Sequence, residues 1–154
     1  MRNITLTLLF LVTLCITMLS GCGQKEGAVR AFVAEDKTLC QFNRGPCHTK
    51  SGDLHISMSL VPDFAPSEEP IEVKITTAQN VTDVNLKLTG RDMFMGMIPV
   101  VLTTSDNHNF TGQMIYGSCS SGYMVWRATL SFVYQGEQRQ VWFDFLADAQ
   151  VTKS

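Results

Sequence analysis

Apolar and polar residues alternate along most of the chain after position 54. This period of two is typical of strands that bury one face. Leu54, Ile56, Met58 and Leu60, for example, are separated by polar side chains. Five segments show the pattern clearly and two more show it weakly: 54–60, 71–76, 84–89, 124–132 and 140–145, then 98–103 and 109–116.

Turn-forming residues fall between these segments. Pro62-Asp63, the stretch from Pro66 to Pro70, Ser105-Asp106-Asn107 and Gln135-Gly136-Glu137 each interrupt the alternation. No segment has a convincing helical period over a useful length. We therefore predict an all-β fold, an antiparallel immunoglobulin-like β-sandwich of about seven strands that occupies residues 39–154.

The start of the chain has a different character. Arg2 precedes a nearly unbroken apolar run from Ile4 to Met18, which is short for a transmembrane helix. The run ends in Leu19-Ser20-Gly21-Cys22, which resembles the lipobox of bacterial lipoproteins. That resemblance implies a signal peptide over residues 1–21, acylation of Cys22 by chains such as palmitate, and a membrane anchor. Gly23 follows the cysteine in place of aspartate, and this implies the outer membrane, facing the periplasm.

Residues 22–38 are predicted to form a flexible tether between the lipid and the sandwich. Removal of residues 1–21 would leave 11 basic and 14 acidic side chains, because the removed segment contains Arg2 and no acidic residue. The chain has no block of basic residues, so nucleic acid is not an expected partner.

Three cysteines remain for pairing once Cys15 is removed and Cys22 is acylated: Cys40, Cys47 and Cys119. An exported protein keeps disulfides, so one pair and one remaining thiol are expected. Cys40 with Cys47 and Cys47 with Cys119 are both open from the sequence.

Methionine is concentrated in the stretch from Asp92 to Pro99. Met93, Met95 and Met97 occupy alternate positions and would point to one side of an extended segment. Thioethers are soft ligands that select Cu(I), whereas methionine also fills gaps in cores. Met114, Met124 and Cys119 lie near a second loop and are candidates to complete a metal site.

The chain offers little that would support catalysis. His48, His55 and His108 are scattered, and no Ser/His/Asp group or paired carboxylate stands out. We therefore predict that the protein is not an enzyme.

Residues 84–145 resemble the YtkA-like and FixH-like exported domains. The resemblance rests on the methionine-bearing turn at 92–97, Gly112-Gln113-Met114, the pair Gly122-Tyr123 and the aromatic segment Val141-Trp142-Phe143. It implies a small sandwich involved in copper handling, with an envelope or respiratory-oxidase assembly protein as partner. Met93, Met95 and Met97 are the ligands that it implies.

Two hypotheses of function follow. The first is an envelope lipoprotein that binds Cu(I) or assists its delivery to a respiratory oxidase. The alternative is a metal-free structural or protein-interaction lipoprotein whose sandwich docks another envelope protein.

Overall fold

A computed structural model of the chain describes residues 36–119 and 123–149. Within these residues the chain forms nine strands and a short 3-10 turn at Phe42–Arg44. The strands are β1 (Cys47–Ser51), β2 (Leu54–Val61), β3 (Ile71–Thr77), β4 (Thr82–Gly90), β5 (Met97–Val100), β6 (Leu102–Thr104), β7 (Asn109–Met114), β8 (Val125–Tyr134) and β9 (Glu137–Leu146).

The strands form two antiparallel sheets, which confirms the predicted all-β sandwich. One sheet has the order β1-β2-β3-β7-β6 and the other has the order β5-β4-β8-β9. Apart from β1, this is the strand order of the two sheets of an immunoglobulin-like domain.

The strand number differs from the predicted seven for two local reasons. β1 is polar along its length and shows no apolar alternation, yet it pairs with β2 over five residues. The segment 98–103 is divided at the exposed Val101, because β5 pairs with β4 in one sheet and β6 pairs with β7 in the other.

The core lies between the two sheets, as the alternation predicts. Inward positions of β2 and β3 are almost fully buried. β8 is buried on its inner face and on part of its outer face, where Val125 and Thr129 are buried. Aromatic rings fill the centre, with Tyr116 5.0 Å from Trp126 and 5.9 Å from Phe145 between ring centroids.

One end of the sandwich carries most of the chemistry considered below. It comprises residues 61–70, 91–97, 115–119 and 147–149, and we call it the methionine end. The Tyr116 hydroxyl donates a hydrogen bond to the carbonyl oxygen of Ala65 at 2.8 Å, and the amide of Asp148 donates to the same oxygen at 2.8 Å. These bonds hold three of the four segments together.

The described chain begins beside this end. Asp36 forms an ion pair with Arg91 at 2.8 Å, and the amide of Cys40 donates a hydrogen bond to the carbonyl oxygen of Asp144 at 2.7 Å. Residues 36–38 of the predicted tether are therefore attached to the sandwich. The predicted signal peptide, Cys22 and the rest of the tether lie outside the described residues. In the ranges that are described, no helix is long and apolar enough to cross a membrane.

Candidate sulfur site at the methionine end

Met93, Met95 and Met97 lie at the surface and not between the sheets. The exposed fractions of their side chains are 38%, 37% and 61%. β4 ends at Gly90, and the loop that follows carries the first two methionines before β5 begins at Met97. These residues thus lie at one end of the sandwich, and core packing is not the reason for this methionine cluster.

The predicted alternation of these three side chains to one side does not hold. Gly96 adopts a φ of +78° between Met95 and Met97, so the segment is not a straight extended strand. That backbone conformation favours glycine. Met97 is the one methionine of the three that belongs to a strand. It begins β5 and pairs with Thr89 of β4.

A different pair of sulfur atoms is brought together. The Cys119 Sγ lies 3.6 Å from the Met93 Sδ, with the thiol as donor. The two residues come from the loops after β4 and after β7, so the contact joins two segments of the methionine end. Cys119 is only partly buried in the structure.

The other two candidate methionines are core residues. Met124 is buried, and its ε-methyl group lies 2.6 Å from the position that a Cβ on Gly90 would take. The Met93 carbonyl approaches that same position, so Met124 packs beneath the backbone that carries Met93. Met114 is buried in the core as the last residue of β7, where it lies opposite Ile71 of β3.

Sulfur is the soft donor available at this end. The sulfur atoms of Cys119 and Met93 are 3.6 Å apart. If both bound one ion at a metal–sulfur distance of roughly 2.3 Å, the sulfur–metal–sulfur angle would be about 100°. Within residues 36–119 and 123–149, no three His, Cys, Asp or Glu side chains are grouped as metal ligands. His48 and His55 are exposed on β1 and β2, and His108 Nδ1 lies 3.3 Å from the carbonyl oxygen of Thr77.

A charged network supports the loop that carries Met93. Asp144 is buried and forms a bidentate pair with Arg127 at 2.7 and 2.8 Å, while Arg91 Nη1 lies 3.8 Å from the same carboxylate. Arg91 also pairs with Asp92 and Asp36. The hydrogen bond that Arg91 donates to Asp92 is the largest cause of the raised pKa of Arg91, and the bond that Arg127 donates to Asp144 has the same effect on the pKa of Arg127.

Asp36 belongs to the same network at its outer edge. Hydrogen bonds from the Thr38 side chain and amide, together with the Arg91 guanidinium, lower the pKa of Asp36 to about 2. This network was not predicted from the sequence. One feature of the sequence could have indicated it. Arg127 and Asp144 lie on the polar faces of two predicted strands, and a predicted turn at Gln135-Gly136 joins these strands.

The disulfide pairs Cys40 with Cys47, with a Cα–Cα distance of 5.4 Å. The alternative pairing of Cys47 with Cys119 is wrong, because Cys47 is bonded to Cys40, whereas the Cys119 sulfur contacts Met93. The disulfide closes a short loop that contains the 3-10 turn. It therefore attaches the N-terminal arm to the first strand.

The comparisons with known proteins give no family. No protein-family model matches the sequence, and no curated protein matches it. A solved structure with a similar fold is that of a DUF4785 family protein from Legionella pneumophila subsp. pneumophila strain Philadelphia 1. It has a TM-score of 0.46 and 14% sequence identity, and the match covers 61% of this chain and 28% of that chain. This chain thus spans less than a third of the length of that protein.

Proposed function

We propose that the protein is a bacterial envelope lipoprotein that is anchored through acylated Cys22 and binds Cu(I) at its methionine end. The anchor is supported by the apolar run and by Leu19-Ser20-Gly21-Cys22. The metal is supported by one observation above all, the 3.6 Å separation of the Cys119 and Met93 sulfur atoms.

The donor types fit this ion. A thiolate and a thioether are both soft ligands, which bind Cu(I) in preference to hard cations. Met95 lies on the same loop and Met97 begins β5, both at the surface, and we propose them as further thioether donors. Ligation by Cys119 requires loss of its proton, so affinity should increase with pH.

The partly exposed pair suits delivery better than permanent storage. Its sulfurs lie in loops at one end of the sandwich, where another protein can reach them. We propose an envelope protein involved in the assembly of a respiratory oxidase as the recipient, which is the partner that the resemblance to YtkA-like and FixH-like domains implies.

The second candidate is a metal-free lipoprotein that docks another envelope protein. Two exposed aromatic side chains favour it. Phe94 is 92% exposed, and Trp142 is 56% exposed on the outer face of the four-stranded sheet with Arg127 stacked on it at 5.5 Å. Aromatic and arginine side chains are enriched at the centres of protein interfaces.

A Cu(I) titration against a competing chelator separates the two. The parent, the Met93→Leu/Met95→Leu/Met97→Leu variant and Cys119→Ser would be compared. Met114→Leu is the matched control, because Met114 is a methionine buried in the core. Leucine keeps the volume of methionine and usually costs under ~1.5 kcal/mol even in cores, so circular dichroism should show that all variants fold.

The copper proposal predicts that the triple-leucine variant and Cys119→Ser each lose at least about tenfold in Cu(I) affinity, while Met114→Leu stays at the parental value. No measurable affinity in the parent, or equal affinity in the triple-leucine variant, would leave the docking protein as the remaining candidate.

A further inference from the structure

The apolar surface of the described residues is concentrated at the methionine end. Nine large apolar side chains are exposed, and the two that lie elsewhere are Val101 and Trp142. The other seven belong to this end: Val61, Phe64, Met93, Phe94, Met95, Met97 and Ile115. A concentration of this kind marks an interaction surface, because scattered single residues would be unremarkable.

Phe94 is the most exposed of these side chains and lies in an uncharged part of its loop. Phe94 stands between Met93 and Met95, and the segment 93–97 contains no ionisable side chain. Gly96, with a φ of +78°, allows the chain to turn back into β5 immediately afterwards. The loop therefore presents an aromatic ring beyond the neighbouring backbone.

The N-terminal arm reaches the sandwich at this same end. Asp36 is bound to Arg91, three positions before Phe94, and Cys22 lies fourteen positions before Asp36. Fourteen residues span at most ~50 Å when fully extended. A lipid at Cys22 would thus be joined to the sandwich through an arm that is attached at the methionine end.

Charge decides which surface this end fits. At neutral pH its charged side chains are one basic residue, Arg91, and five acidic residues: Asp63, Glu68, Glu69, Asp92 and Asp148. A second copy of the chain, or a bilayer rich in anionic lipid, would be repelled by these carboxylates. A zwitterionic headgroup such as phosphatidylethanolamine offers an ammonium group that a carboxylate can meet.

We propose, on the basis of the anchor proposed at Cys22, that the methionine end rests on a zwitterionic lipid surface and inserts Phe94 among the headgroups. A phenylalanine side chain gains from leaving water at this depth, and aromatic residues commonly occupy the membrane interface. The lipid would thus orient the sandwich as well as retain it.

Fluorescence quenching on vesicles tests this orientation. The full acylated chain would be reconstituted on vesicles of brominated phosphatidylcholine and phosphatidylethanolamine. Two variants, Phe94→Trp and Val101→Trp, would carry the reporter, each with Trp142→Phe to remove the exposed native tryptophan. Val101 is the matched control because it is 81% exposed and lies past the far end of β5.

We expect at least twofold stronger quenching, and a blue-shifted emission, for tryptophan at 94 than at 101. Addition of anionic phosphatidylglycerol should weaken that difference. Equal quenching at the two positions, no quenching at 94, or stronger insertion on the anionic vesicles would each overturn the proposal.

The anchor is checked separately on the same samples. Flotation with the vesicles and the mass of the Cys22 peptide report acylation. Failure to float would overturn the anchor and this orientation together, whereas a chain that floats without quenching at 94 overturns the orientation only.

Discussion

The thiol of Cys119 and the thioether of Met93 are in contact although 26 positions separate them in the chain. The contact depends on how the two loops approach the end of β4. Gly90 lies under the Met93 backbone and against the ε-methyl group of Met124. The distance between the two sulfur atoms therefore depends on the packing around Gly90, although Gly90 has no side chain that could bind a metal.

Gly90→Ala should disturb the sulfur pair without altering a ligand. The added methyl group would meet the Met93 carbonyl and the Met124 methyl, so the loop must shift, and overpacking of this kind costs about 1–3 kcal/mol. We expect that loss in urea unfolding and a weaker Cu(I) affinity. Gly117→Ala is the control, since a Cβ there meets nothing within 4 Å. Equal stability of the two variants would show that the loop is not tightly packed on Gly90.

Asp144→Asn should destabilise the fold by about 2 kcal/mol, because it leaves Arg127 without its bidentate partner and removes a buried negative charge beside Arg91. Glu137→Gln breaks the exposed pair with Arg139 and should cost under ~1 kcal/mol. Chemical denaturation of both variants measures the contrast. Similar losses would mean that solvent screens the Asp144 pair as effectively as the exposed one.

Attachment of the N-terminal arm should depend on acid pH. The folded-state pKa of Asp36 is about 2, below the ordinary value of 3.8, because Thr38 and Arg91 stabilise the carboxylate. A lowered pKa means that the contribution is fully present above about pH 4 and is lost as the pH falls towards 2. Carbon NMR of the Asp36 carboxyl group gives the midpoint, and hydrogen exchange at the Cys40 amide reports the arm. A midpoint near pH 4 would contradict the contact with Arg91.

Removal of the disulfide should cost about 2.5 kcal/mol by the loop-closure estimate for a ring of this length. Cys40→Ala/Cys47→Ala removes it, and the sequence separation of the pair is seven. Thermal unfolding of this variant and of the parent gives the difference, and reductant should lower the stability of the parent only. Non-reducing peptide mass spectrometry of the parent should show the Cys40–Cys47 link, and a link to Cys119 would contradict the structure.

Cys22→Ser tests the anchor in cells. The substituted chain should remain uncleaved or become soluble, since the proposed lipid is attached to that sulfur. Membrane fractionation after salt and carbonate washes is the measurement, with Cys15→Ser as the control that leaves Cys22 intact. Retention of Cys22→Ser on washed membranes would refute lipid anchoring at this position.

The sequence was sufficient for those strands that bury one regular face. β2, β3, β4, β8 and β9 all coincide with segments of clear alternation, because a half-buried strand must alternate. β1 escaped detection since its residues, from Cys47 to Ser51, are only partly buried or exposed. The change of sheet at Val101 also left no signal, because a segment that passes from one sheet to the other keeps its apolar composition.

The candidate site was predictable in composition but not in geometry. Met93 and Cys119 were both identified as soft ligands, yet their pairing depends on loop conformations that residue spacing does not determine. The predicted convergence of Met93, Met95 and Met97 assumed an extended backbone, which the left-handed Gly96 prevents. The Arg127–Asp144 pair could have been predicted, because a two-residue turn at Gln135-Gly136 sets their register.

The disulfide also determines how the molecule responds to mechanical force. A pulling force applied before Asp36 first acts on the ion pair between Asp36 and Arg91. It then acts on the hydrogen bond that the Cys40 amide donates to the Asp144 carbonyl oxygen. Beyond those contacts the tension enters the covalent link to Cys47 and bypasses the intervening 3-10 turn. It then reaches the ladder between β1 and β2, whose five paired residues share the load. Two weak contacts therefore act as the first to yield, and the sandwich itself is strained only after them.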